Sequence, residues 1–167
     1  MKKLSILTAG IMMVFSLAII TFYSSCTDPC KDVVCLNAGT CVDGACSCAD
    51  GYEGDDCGTA IRQKFIGSWT AADACSLSGT GAYTVTVTAG TGIFDVKITN
   101  MWNAFVNQVN ATISGNTITI STQEPDSDGF TISGTGTISS DGLTITWTYT
   151  VTDTSTGDTD TCTSTWN

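Results

Sequence analysis

The residues with most chemistry to offer are the 9 cysteines, and most of them crowd into one run, Cys30-x4-Cys35-x5-Cys41-x4-Cys46-x-Cys48-x8-Cys57. Thiols at this density either pair in an oxidising compartment or bind metal as thiolates. The chain has no His, and Gly/Asp turns separate the cysteines. Pairing is therefore expected over a zinc site, and the protein is expected to be exported. Without His there is also no Ser–His or Cys–His pair and no imidazole ligand. Carboxylates are plentiful, with 16 Asp+Glu against 6 Lys+Arg and a formal net charge of −10. None falls in a recognisable catalytic pair, so no enzymatic activity is expected. Asp126-Ser127-Asp128-Gly129 lacks the further ligands and closing Glu of a calcium loop and reads as an acidic turn. No metal or cofactor is expected. The acidic balance excludes nucleic acid as a partner and favours solubility.

Cys46-Ser47-Cys48-Ala49-Asp50-Gly51-Tyr52-Glu53-Gly54-Asp55-Asp56-Cys57 and the turn Asn37-Ala38-Gly39-Thr40-Cys41 resemble the EGF-like family. The short Cys41–Cys46 spacing is most similar to its tenascin-type subclass. The resemblance implies the pairs Cys30–Cys41, Cys35–Cys46 and Cys48–Cys57, where six cysteines alone would allow fifteen connectivities. It also implies a plain form without calcium. Thr27-Asp28-Pro29 before Cys30 lacks the acidic run of the calcium-binding form, and the Cys41–Cys46 loop has no aromatic. A module this small needs staples in place of a core.

Upstream, Lys2 and Lys3 precede an apolar run from Leu4 to Phe22, followed by Tyr23-Ser24-Ser25-Cys26. This resembles a bacterial lipoprotein signal, with Tyr23 where Leu is usual. The resemblance implies cleavage before Cys26, lipidation of its thiol and attachment to a membrane. The alternative is an uncleaved signal anchor, since about twenty apolar residues can span a bilayer.

From Ile61 onward the chain must build the elements that position everything else. Thr144 to Thr152 alternates Thr with Ile145, Trp147, Tyr149 and Val151, the period-two pattern of a strand with one buried face. Similar segments, separated by Gly/Asn/Asp/Ser turns, predict eight strands near 64–71, 81–88, 93–99, 105–113, 116–122, 129–138, 142–152 and 158–166. Short links make them an antiparallel meander. Closing the meander into a barrel hides the apolar face and removes both edges; a two-sheet β-sandwich is the alternative. Cys75 follows the first predicted strand and Cys162 lies in the last. In a closed meander these strands are neighbours, so a Cys75–Cys162 bridge is expected, contributing on the order of 4 kcal/mol.

Phe65-Ile66-Gly67-Ser68-Trp69 resembles the G-x-W entry strand of lipocalin-like barrels, which implies a Trp closing the barrel base. No Lys or Arg follows Lys97, so the basic residue that lipocalins stack on that Trp is missing. Asn100-Met101-Trp102-Asn103-Ala104-Phe105 interrupts the alternation. Trp102 and Phe105 there either contact a ligand at a pocket mouth or plug one end of the barrel.

The expected protein is all-β: a signal peptide at 1–25, an EGF-like module at 26–58 and an eight-stranded barrel at 61–167. The combination is similar to lipoproteins of Bacteroidota, which implies a place at the outer membrane or cell surface but no activity. The expected role is non-catalytic binding or adhesion toward a protein, glycan or small molecule. One alternative is a lipocalin-like carrier with an apolar cavity lined by Ile118, Ile145, Trp147 and Val151. Another is a purely structural surface component.

Overall fold

The computed structural model describes residues 28–167. The predicted signal peptide and the lipidation residue Cys26 lie outside them. The described chain opens with a disulfide-rich module. Its β1 (Thr40–Val42) and β2 (Ala45–Ser47) form a hairpin. Asp43 and Gly44 turn it with φ of 51° and 87°, the left-handed pair that a tight two-residue hairpin turn requires. Cys41 and Cys46 stand opposite each other in register, and each reaches back to the preceding loop, as Cys30–Cys41 and Cys35–Cys46. A second short ladder joins β3 (Tyr52–Glu53) to β4 (Thr59–Ala60) around Cys48–Cys57. Cys57 is the buried centre of this module.

The rest of the chain is a closed, eight-stranded antiparallel barrel. Its strands are β5 (Gly67–Cys75), β6 (Gly79–Ala89), β7 (Asp95–Thr99), β8 (Val109–Ser114), β9 (Thr117–Gln123), β10 (Phe130–Ile138), β11 (Ile145–Asp153) and β12 (Thr159–Trp166). Each pairs with its sequence neighbour, and β12 pairs with β5 to close the ring. Closure leaves no edge strand for another chain to extend. The barrel, and not the two-sheet sandwich, is thus the architecture.

Strand β5 begins and ends later than the predicted 64–71. Residues Ile61–Lys64 form a 3-10 turn instead. There the Arg62 guanidinium donates to the carbonyls of Gly90, Gly92 and Asp95, drawing the segment across the barrel base. Cys75 is consequently the last residue of β5 and does not follow it. It faces Cys162 directly in the β5–β12 register and is bonded to it. Strand β8 also starts late, at Val109 rather than near 105, because Met101 and Phe105 turn inward and are buried.

The interior is occupied by side chains. Trp147 and Tyr149 on β11 are the bulkiest pair, and their register partners on β10 are Gly136 and Gly134. The glycines make the room. A methyl group at Gly136 would fall 2.7 Å from the Trp147 ring, and one at Gly134 would fall 2.4 Å from the Tyr149 Cβ. Ile118, Ile145, Trp147 and Val151 are all buried within this packed cluster. At the base, Trp69 donates its indole N–H to the Phe65 carbonyl at 2.9 Å, and Trp166 packs on Trp147 with ring centroids 4.9 Å apart.

The module sits at that same base. Lys64 bonds Glu53 of the module at 3.2 Å and Asn116 of the β8–β9 turn at 2.9 Å, and Gly51 abuts Ile93 and Phe94 of the β6–β7 loop. The barrel therefore has a proximal end covered by the module and a distal end facing away from it.

Candidate functional site at the distal mouth

Four connections, β5–β6, β7–β8, β9–β10 and β11–β12, and the strand ends beside them form the distal mouth. The β7–β8 connection crosses it as a 3-10 turn, Met101–Asn103, in an uncommon backbone state: Asn100, Trp102 and Asn103 have φ of 63°, 58° and 53°. Asn tolerates this left-handed region, but a bulky Trp is rarely found there. The Asn100 amide holds the turn by donating to the Thr84 carbonyl at 2.8 Å. Met101 and Phe105 then point inward as the plug. Trp102 stays half-buried at the rim, its ring 5.8 Å from Phe105 and 6.0 Å from Phe130. Of the two aromatics predicted from the broken alternation, Phe105 is buried in the core and Trp102 is accessible.

Beneath Trp102 lies a cluster that the sequence did not suggest. Asp73, on the inward face of β5, is only 8% exposed. Its Oδ2 accepts the hydroxyls of both Tyr83 (β6) and Tyr149 (β11), each at 2.5 Å. Its Oδ1 is buried with no hydrogen-bond partner among the described residues. Burial first, and then the bond to Asp73, push the pKa of both tyrosines well above the ordinary phenol value. The available signal was the register itself, since Trp69, Ala71 and Asp73 share one face of an alternating strand.

Asp160, one strand away on β12, is fully engaged. It accepts the Ser76 and Ser78 hydroxyls and the Leu77 and Ser78 backbone N–H groups, at 2.5 to 3.1 Å. Burial acts to raise its pKa, but these four donors outweigh it and hold the carboxyl below the usual range. Cys75, Cys162 and Asp160 come within 4.8 Å of one another. The two sulfurs are bonded to each other and the carboxylate is taken up by its four donors, so the group is not a metal site.

Two grooves flank Trp102. One, of about 300 Å³, is lined by Asp73, Tyr83, Gly81 and Trp102. The other, of about 310 Å³, is lined by Leu77, Trp102, Phe130, Val151 and three aspartates, Asp153, Asp158 and Asp160. A depression of about 400 Å³ on the barrel flank, between Asp95 and Gln123, has no aromatic in its lining. Charge is segregated along the barrel. Arg62 and Lys64 serve the proximal end, Lys31 lies in the module, Lys97 sits mid-strand on β7, and no Lys or Arg follows it.

Four disulfides point to an exported protein. A filled barrel with a disulfide-rich module is compatible with a non-catalytic binding or carrier role. No family model matches the chain, and no curated protein matches it. A solved structure described as a redesigned beta barrel is similar over 64% of this chain and 93% of its own length, at 16% identity and a TM-score of 0.46.

Proposed function

We propose that this is a lipid-anchored protein of the cell envelope, held at Cys26, whose EGF-like module (26–58) is a spacer and whose barrel (61–167) recognises its target without catalysis. The cysteine spacing and the pairs Cys30–Cys41, Cys35–Cys46 and Cys48–Cys57 support the EGF-like reading. The observation that carries the binding reading is the polarity of the barrel: module at one end, a half-buried Trp102 between two grooves at the other. An anchor joined to the module leaves that mouth turned outward. A carrier role would use the same mouth, since side chains already occupy the interior.

Anchoring is tested by feeding cells a clickable palmitate analogue and fractionating their membranes. Wild-type protein should be labelled and should sediment, while Cys26→Ser should be unlabelled and soluble; a variant that still sediments points to a signal anchor instead. Recognition is tested by presenting the protein to glycan and small-molecule arrays. Signals lost in Trp102→Ala and kept in Thr119→Ala, on the barrel flank, support the distal mouth. Signals indifferent to Trp102 remove it.

A further inference from the structure

Asp73 does more than a structural anchor for two tyrosines requires. One oxygen accepts both phenols, yet the other is buried and receives nothing from the described residues. A carboxylate oxygen left unpaired away from water is unfavourable unless something completes it. The residue lines the groove of about 300 Å³ beside Trp102. That volume suits a small organic group better than a bare ion. A hard metal cation would want several carboxylate or carbonyl oxygens, and the other polar side chain nearest Asp73 there is a phenol.

The surroundings select for positive charge. Asp153, Asp158 and Asp160 line the adjoining groove, which shares Ser78 and Trp102 with the first. Among the described residues, no Lys or Arg stands at this end to offset them. A cleft with walls of one sign concentrates counter-charge from solution, and the faces of Trp102 and Phe130 are suited to a cation.

We propose that the groove between Asp73, Tyr83 and Trp102 binds a primary ammonium carried on a short apolar stem, with Asp73 Oδ1 as its counter-ion. This deepens the reading of the distal mouth as the binding face and rests on it. Oδ1 has no contact with solvent in the free protein, so the ammonium displaces the groove wall to reach it. Trp102 belongs to that wall, and its emission reports the event.

The test titrates n-butylammonium, n-butanol and butyrate into the full-length protein in detergent solution, followed by calorimetry and tryptophan emission. The expected result is saturable binding of butylammonium alone, weakened at least about tenfold in Asp73→Asn. Near-ultraviolet circular dichroism checks that this variant is folded. Gly81→Leu provides a second arm: Gly81 faces Asp73 across the β5–β6 ladder and a Cβ there meets nothing within 4 Å, so the larger side chain fills the groove over the carboxylate. It should abolish butylammonium binding in a folded protein. Binding of butylammonium that survives in folded Gly81→Leu, or a failure of butylammonium to bind, overturns the proposal. Equal binding of butanol and butylammonium also overturns it, while leaving the mouth as a binding face.

Discussion

Tyr83 and Tyr149, on strands that are not paired with each other, direct their hydroxyls to the same atom, Oδ2 of Asp73. The pair ties β6 and β11 across the mouth through β5. Folding holds both phenols protonated beyond the ordinary value of about 10. Their contribution to stability is therefore complete below pH 10. It declines as pH rises above that value, because the unfolded chain releases its protons first. For the fully buried Tyr149 the slope is about 1.4 kcal/mol per pH unit. Denaturant midpoints from pH 8 to 11 should fall less steeply in Tyr149→Phe than in wild type. Phenolate absorbance should show Tyr149 titrating only as the barrel unfolds.

Loss of the Cys75–Cys162 bond should lower the unfolding free energy by about 4 kcal/mol, since it closes a loop with a sequence separation of 87. The double variant Cys75→Ala/Cys162→Ala, followed by urea unfolding, measures this. The β5–β12 ladder should remain, because its register continues to Ala71–Trp166.

Gly136→Ala should destabilise the barrel by about 1–3 kcal/mol through overpacking against Trp147 and Ile118. Gly134→Ala should cost more, because its nearest neighbours include the Thr148 carbonyl and the Tyr149 Cα, and backbone yields less readily than a side chain. Thermal unfolding of the two variants gives the order.

Asp160→Asn should cost about 1–3 kcal/mol at neutral pH, by weakening bonds to the 76–78 turn. The depressed carboxyl contributes stability above the ordinary aspartate value, and this is lost as pH falls through the folded value. The gap between variant and wild type should therefore close in acid. Urea midpoints at pH 7 and pH 2.5 check the sign.

Acrylamide should quench Trp102 and spare the other tryptophans, because Trp69, Trp147 and Trp166 are all under 10% exposed. Caesium ions should quench it more strongly than iodide in low salt, given the aspartates lining the adjoining groove. Trp102→Phe should remove the quenchable fraction.

Alternation made most of the barrel legible. Thr outward and Ile, Trp, Tyr or Val inward marks β11 without ambiguity, and its burial follows that pattern. Strand β5 was harder to read. Past Trp69 its inward positions are Ala71, Asp73 and Cys75, small or polar residues that give no apolar signal, so the strand seemed to stop at 71. That hid Asp73. The cluster around it joins positions 76 apart in sequence, a proximity that only ring closure creates. The unusual turn at Trp102 did show as a break in pattern. Which aromatic would plug and which would stay accessible depended on backbone angles that no spacing encodes.

The seam disulfide also sets how the protein yields to a pull. A load applied between the module and the C-terminus enters β5 and leaves through β12, and these strands are joined by Cys75–Cys162. Everything between those cysteines is bypassed, and about 300 Å of extended chain stays out of reach of the tension. Under force the tether lengthens only by the short segments outside the loop, and the mouth at its far end keeps its shape.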